Sequence, residues 1–134
     1  MKLLSLMDTV ASGLSAQRTR METASSNMAN AHTTRTPEGG PYQRRDVVLA
    51  SRPEAADGVA GVDVAEVRSD GSAPRLEYDP GHPDANPDGY VAYPNINVVE
   101  EMVDMITASR AYEAGVTAMR TASSMAERAL NIGR

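Results

Sequence analysis

Apolar residues recur along the first 30 residues at alternating spacings of four and three. The series is Leu3, Met7, Val10, Leu14, Gln17, Met21, Ala24 and Met28, and only Gln17 is polar. A heptad stripe kept for more than three repeats is typical of a helix that packs along another helix, as in a coiled coil. The pattern predicts an N-terminal helix about 40 Å long, in which Gln17 either fixes the register or faces another polar group.

The C-terminal segment repeats this pattern. Its series is Val98, Met102, Met105, Ser109, Tyr112, Val116, Met119, Ser123, Ala126 and Leu130. Asn97 with Glu100 three residues later resembles a capping box, with Asn in place of Ser or Thr, and Gly133 can end the helix. We expect a second helix about 50 Å long. Its interior Gly115 either admits a neighbouring helix or is held helical by assembly.

The middle of the chain has a different pattern, because all eight prolines lie between Pro37 and Pro94. A proline inside a helix costs about 3 kcal/mol, so this segment is not helical. Val62 and Val64 alternate with polar neighbours, as in a half-buried strand. Short strands are predicted at residues 46–50, 61–68, 75–79 and 89–93.

These patterns predict a mainly α fold with a small β-rich insert. The long N- and C-terminal helices would pack as a coiled-coil-like axial core, with short strands and turns between them. The expected units are an N-terminal axial helix and motif (1–35), a small β/loop lobe (36–96) and a C-terminal axial helix (97–134). The helices either form an ordinary antiparallel hairpin in a monomer or also pack on copies from neighbouring subunits.

Composition favours the second arrangement. The chain has 134 residues but no Trp, Phe or Cys, and most of its apolar residues are Ala, Val and Met. Since each large buried side chain contributes about 1.5–3 kcal/mol, we doubt a self-sufficient core and expect burial against other chains. The net charge of −5 offers no basic footprint for nucleic acid. Asp8 interrupts the apolar start, so we expect no cleaved Sec signal.

One stretch suggests metal chemistry. DANPDG (84–89) matches the first half of a calcium-loop pattern. Asn95, however, stands where the loop needs a bidentate Glu, and three residues of the stretch before it are Pro or Gly at 80, 81 and 83. We therefore favour consecutive turns from Asp79 to Gly89, followed by a short strand, with a calcium-binding regulator as the lesser alternative.

No other motif predicts a catalytic, cofactor-binding or metal-binding residue. His32 and His82 have no second ligand at a metal spacing, and no nucleophile motif is present. Glu100 and Glu101 are explained by capping at the start of a helix. A small basic group is either solvated or forms an inter-subunit salt-bridge patch; it consists of Arg35, Arg44 and Arg45.

Three stretches carry a family resemblance. The run from Ser25 to Val48 (SSNMANAHTTRTPEGGPYQRRDVV) resembles the N-terminal signature of flagellar axial proteins. The run NVVEEM with the later RAYEAG resembles their C-terminal signature, although the family often has Asn where Gly115 stands. LEYDPGHPDANPDGYVAYPNINVVEEM is similar to the proximal-rod family of FlgC type.

The resemblance implies a structural subunit of the bacterial flagellar basal-body rod, part of the drive shaft. It implies export by the flagellar type III system, a place in the periplasmic rod and polymerisation through the terminal helices. The implied partners are other rod proteins (FlgB, FlgF and FlgG types), the basal-body protein FliE, the export apparatus and copies of the chain itself, with no cofactor and no nucleic acid. The alternative is a secreted effector or chaperone-like helical binding module.

We expect packing and assembly to depend on residues from both helices and from the N-terminal motif. They are Val10, Leu14, Gln17, Met21, Asn27, Asn30, Val98, Met102, Ile106, Tyr112, Val116 and Met119.

Overall fold

The structure is a computed structural model that describes residues 2–53 and 58–133. Along the chain, one long helix precedes four strands and a second long helix follows them. Their bounds are α1 (Lys2–Ala29), β1 (Arg45–Arg52), β2 (Gly61–Ser69), β3 (Arg75–Tyr78), β4 (Tyr90–Tyr93) and α2 (Val98–Ile132). The predicted fold class, with its terminal helices and β-rich insert, is confirmed, and each predicted strand coincides with an observed one.

The two helices pack against each other in antiparallel orientation. Asn27 near the end of α1 bonds to Glu101 near the start of α2, whereas Leu6 and Met125 line one groove at the opposite end. Midway, a Cβ added to Gly115 would lie 2.7 Å from Cδ2 of Leu14. Glycine in a helix interior costs about 1 kcal/mol relative to Ala, and here it admits the Leu14 side chain of α1.

The face of α2 that meets α1 differs in part from the predicted stripe. Met105, Tyr112 and Met119 lie half-buried on it as expected, whereas Val98 and Met102 are exposed. The most buried positions of α2 are Glu101, Ala108 and Ala122. Small residues let two helices approach closely, so the contact centres on them and turns several bulky residues outward.

The hairpin of β1 and β2 lies against another face of α1. The hydroxyl of Ser12 in α1 accepts a hydrogen bond from the backbone N–H of Val62 at 3.1 Å. Val62 and Val64 are half-buried and Asp63 between them is exposed, which confirms the predicted alternation. Val48 pairs with Glu66 and Leu49 pairs with Val64, so the antiparallel register leaves Ala65 as a bulge.

The second strand pair, β3 and β4, is joined by the predicted turns. Backbone hydrogen bonds run from His82 to Asp79 (3.1 Å), from Ala85 to His82 (3.1 Å) and from Gly89 to Asn86 (2.9 Å). Gly89 has a φ of 85°, and a Cβ there would lie 2.8 Å from the Tyr78 ring. The Asp- and Asn-rich stretch is therefore a chain of turns that delivers β4, as predicted.

The interior contains few large apolar groups. Among the described residues, the buried apolar side chains are Ala16, Ala24, Ala31, Val91, Pro94, Ile96, Ala108 and Ala122. The accessible surface is 9067 Å², whereas a compact monomer of 14.3 kDa exposes about 6,800 Å². In the part of the chain that the structure describes, no helix holds an apolar run that could cross a bilayer.

Candidate functional site

A buried cluster of polar side chains joins both helices to the start of β1. It comprises the side chains of Asn27 of α1, Glu101 of α2, and Tyr42 and Arg44 of the segment between them, together with the backbone of Arg45, whose side chain is exposed, and we call it the polar junction. Asn27 is 0% exposed and Glu101 is 2% exposed. Polar groups buried this deeply destabilise a fold unless they find hydrogen-bond partners.

The Asn27 amide is fully satisfied. Its Nδ2 donates to the backbone carbonyl of Arg45 at 2.9 Å and to Oε2 of Glu101 at 3.0 Å. Its Oδ1 accepts from the backbone N–H of Arg45 at 3.0 Å and from the Tyr42 hydroxyl at 3.1 Å. An Asn side chain has two donor hydrogens and two acceptor lone pairs, so this one residue ties three segments together.

Arg44 supplies the counter-charge for the buried carboxylate. Its Nε donates to Oε1 of Glu101 at 2.5 Å, and its guanidinium also lies 3.5 Å from Asp70 and 3.9 Å from Asp104. Burial lowers the pKa of Arg44, but the hydrogen bond and charge of Glu101, together with the charges of Asp46 and Asp70, outweigh it, so the pKa is raised. A buried carboxylate that keeps such a partner avoids the cost of an unpaired charge.

The second asparagine of the motif shapes the exit from α1. Asn30 Nδ2 donates to the carbonyl of Ser26 at 2.9 Å, and its Oδ1 accepts from the Thr33 hydroxyl at 3.1 Å. The backbone N–H of Tyr42 then reaches the Thr33 carbonyl at 3.0 Å. Asn30 therefore bends the chain so that Tyr42 returns to Asn27.

The turn region makes its own contact with this exit. Asp84 accepts a hydrogen bond from the Thr34 hydroxyl at 2.7 Å and forms an ion pair with Arg35. The Thr34 bond and Arg35 together lower the pKa of Asp84, against a smaller opposing effect of desolvation. His82 Nδ1 accepts from the backbone N–H of Asp84 at 3.0 Å. Among the described residues, no three possible ligands approach closely enough to hold a metal ion.

Two interpretations of charged residues were wrong. Arg44 is neither solvated nor free for a neighbouring subunit, because Glu101 and Asp70 of its own chain hold it. Glu101 does not cap α2: Asn97 does, accepting from the N–H groups of Val99 (3.1 Å) and Glu100 (3.4 Å). The sequence patterns missed these roles because the ion pair joins residues 57 positions apart.

The residues expected to govern packing fall into three groups. Asn27 is buried at the polar junction, and Asn30 lies half-buried beside it. The half-buried residues of the helix faces are Val10, Leu14, Gln17, Met21, Tyr112, Val116 and Met119. Gln17 accepts a hydrogen bond from Arg20 of its own helix at 3.0 Å. Val98, Met102 and Ile106 are exposed and make up part of an outer face.

Both ends of the chain match protein families. Residues 7–35 match the family described as "Flagella basal body rod protein". Residues 88–132 match "Flagellar basal body rod FlgEFG protein C-terminal". The matched regions contain Asn27 and Glu101, so the polar junction unites the two family segments. This pair of ends is that of a flagellar rod protein.

Curated relatives are similar over the whole chain. "Flagellar basal-body rod protein FlgC" of Borreliella burgdorferi is 45% identical, with 98% of both chains covered. The FlgC protein of Bacillus subtilis is 42% identical (92% of this chain and 93% of the relative), and that of Yersinia enterocolitica is 40% identical over the full length of both. The chain belongs to the FlgC family of flagellar basal-body rod proteins.

Family membership gives the coarse function. The chain is a structural subunit of the proximal rod, located in the flagellar basal body, and the family is not known for enzymatic activity. Rod proteins assemble with other rod components. The structural question is which surfaces of this chain are available for that assembly.

Proposed function

We propose that the chain polymerises into the rod through its terminal helices. The observation that carries this proposal is the large accessible surface, about 2,300 Å² above that expected for a compact monomer of this mass. Exposed bulky residues lie at both ends of the helix pair, among them Leu4, Leu6, Val103, Ile106 and Leu130. Subunits that cover these residues on one another would gain the apolar burial that the monomer lacks.

The polar junction gives this polymer subunit a fixed geometry. Because Asn27, Glu101 and Arg44 join α1, α2 and the start of β1, the helix pair cannot shift relative to the insert without breaking buried hydrogen bonds. Torque applied to the helices then passes to residues 36–96, which we propose to form a lobe on the outside of an axial core. The packing residues of α1 and α2 named from the sequence are proposed to transmit this load.

The finer assignments rest on family membership. We propose that the partners are rod proteins of the FlgB, FlgF and FlgG types, the basal-body protein FliE and copies of the chain itself. The subunit would leave the cytoplasm through the flagellar type III apparatus without a cleaved Sec signal and assemble in the periplasmic part of the rod.

The test replaces Leu14 by Asp in cells that depend on this chain for swimming. Leu14 packs against Gly115, so a charge there should separate the helices, abolish motility and leave expression intact. Leu14→Met is the matched control, because it keeps an apolar side chain of similar volume. Motile cells with Leu14→Asp would contradict the proposal. Recovery of the natural chain from the medium rather than from purified basal bodies would favour a secreted binding module instead.

A further inference from the structure

Two tyrosines lie directly opposite each other on the strand pair β3 and β4. The antiparallel register pairs Tyr78 with Tyr90. Their ring centroids are 5.3 Å apart and the ring planes are inclined at 66°, so the edge of one ring meets the face of the other. Among the described residues, this is the only ring contact between two tyrosines. The pairing of the strands therefore brings two phenol rings together.

The backbone around this pair also favours a close approach of the two side chains. The backbone N–H of Tyr90 donates to Oδ1 of Asn86 at 2.9 Å, and its carbonyl accepts from the backbone N–H of Asn86 at 2.8 Å. Because these groups bond to the turn rather than across to Tyr78, the two tyrosines form a pair of the non-hydrogen-bonded type. In such pairs the Cα atoms are about 4.5 Å apart and the side chains lie closer than in the alternate pairs.

Both rings are open to solvent, and a glycine positions one of them. Tyr78 is 67% exposed and Tyr90 is 42% exposed. A Cβ added to Gly89 would lie 2.8 Å from Cε2 of Tyr78, so glycine lets this ring lie against the backbone next to Tyr90. Cε2 is one of the two ring carbons beside the carbon that bears the hydroxyl. Tyrosyl radicals couple through these carbons.

We propose that Tyr78 and Tyr90 form an oxidative modification site, at which a peroxidase acting with hydrogen peroxide couples the two rings into dityrosine. Each phenol first loses one electron and one proton. The two radicals then form one carbon–carbon bond between ring carbons beside the hydroxyl-bearing carbons. The hydrogen on each of these carbons moves to the phenol oxygen. Hydrogen peroxide accepts the two electrons and two protons and gives two molecules of water.

The composition and the other tyrosines favour coupling at this pair. The chain has no Trp and no Cys, and a cysteine thiolate would itself be oxidised by peroxide. The hydroxyl of Tyr42 donates to Asn27 in the polar junction at 3.1 Å, and the Tyr93 ring contacts His32 and His82. A radical formed on Tyr78 therefore has Tyr90 as its neighbouring phenol.

The cross-link would close a loop that contains Asp84. Residues 79–89 separate the two tyrosines, and Asp84 within them binds Thr34 and Arg35 at the exit from α1. A sheet of two strands is marginally stable by itself, and a covalent link stabilises mainly by restricting the unfolded chain. The oxidised subunit would therefore keep β3, β4 and the turns between them together at higher temperature, as a disulfide does in other proteins.

Treatment of the purified chain with a haem peroxidase and hydrogen peroxide tests the site. We expect a monomer that has the blue fluorescence of dityrosine and a mass lower by two hydrogen atoms. A protease that cleaves before aspartate cuts the loop at Asp79, Asp84 and Asp88, yet the peptides that contain Tyr78 and Tyr90 should stay joined. Oxidation of methionine adds oxygen to the mass, so mass spectrometry separates the two reactions.

Tyr78→Phe is the matched control, because it keeps the ring and removes the hydroxyl from which the radical forms. This variant should yield no linked monomer, whereas Tyr112→Phe, which removes a phenol of α2, should leave the yield unchanged. The linked chain should also melt at a higher temperature than Tyr78→Phe after the same treatment; equal melting temperatures would overturn the stabilising role.

Three other results would overturn the site itself. The first is a natural chain without dityrosine under conditions that couple free tyrosine. The second is coupling only between separate chains, seen as dimers whose yield rises with protein concentration. The third is a set of joined peptides that contain tyrosines other than Tyr78 and Tyr90.

Discussion

Replacing the buried Asn27 by Ala should strongly destabilise the chain. The substitution removes four hydrogen bonds at once, to Arg45 twice, to Glu101 and to Tyr42. A hydrogen bond contributes about 0.5–1.5 kcal/mol net, and a buried group left unpaired costs about 1–3 kcal/mol. Allowing for partial access of water through the new cavity, we expect a loss of about 3–4 kcal/mol, a large part of the 5–15 kcal/mol typical of a domain.

Asn30→Ala is the matched control, since it removes the same side chain from the same motif three residues later. Within the described residues, Asn30 makes side-chain bonds only to Ser26 and Thr33 and is half-buried, so its loss should cost about 1 kcal/mol. The assay is urea unfolding of the purified chain, followed by circular dichroism, with the midpoint and slope fitted together. Equal losses for the two variants would refute the view that the polar junction holds the helix pair together.

Two further predictions concern a helix glycine and acid. Gly115→Ala should lower stability although Ala favours helix, because the new Cβ would lie 2.7 Å from the Leu14 side chain. Gly13→Ala is the control: its Cβ would have nothing within 4 Å, so the substitution should raise stability by up to about 1 kcal/mol. Thermal melts in which the melting temperatures of both variants shift in the same direction would contradict this packing. The Thr34 hydroxyl and Arg35 hold the pKa of Asp84 below its ordinary value. The contribution of Asp84 to folding stability is therefore fully present above its unfolded pKa of about 3.9 and is lost as pH falls through the lower folded pKa. Between about pH 5 and about pH 3, the melting temperature of the Asp84→Asn variant should therefore fall less than that of the natural chain. Parallel curves of melting temperature against pH would exclude this role of Asp84.

Local patterns were sufficient to predict the elements of this fold. The heptad stripes marked α1 and α2 because a helix buries one face at a fixed period, and the prolines confined the strands to the middle. The turn residues from Asp79 to Gly89 were predicted for the same reason, since each acts on its own backbone. None of these features needed information from distant parts of the chain.

The polar junction could not be predicted in this way. Glu101 lies 74 residues from Asn27, and nothing in a helical first turn distinguishes a carboxylate that caps from one that turns inward to an arginine. The face of α2 that packs on α1 is also not the one with the largest apolar residues, because Ala108, Gly115 and Ala122 let the two helices approach more closely than Val98 or Met102 would. Consecutive residues of a helix point about 100° apart around its axis. The choice of small residues for the contact therefore decides which side chains face outward.

The alanine-lined interior also determines how the subunit responds to heat. Unfolding exposes little new apolar area when the buried groups are mostly methyls, and apolar exposure is the source of a large heat-capacity change. The heat-capacity change of the isolated chain should fall below the usual 12–15 cal/mol/K per residue, giving a shallow, broad stability curve. The free energy of unfolding of such a subunit then changes little between low and high temperature.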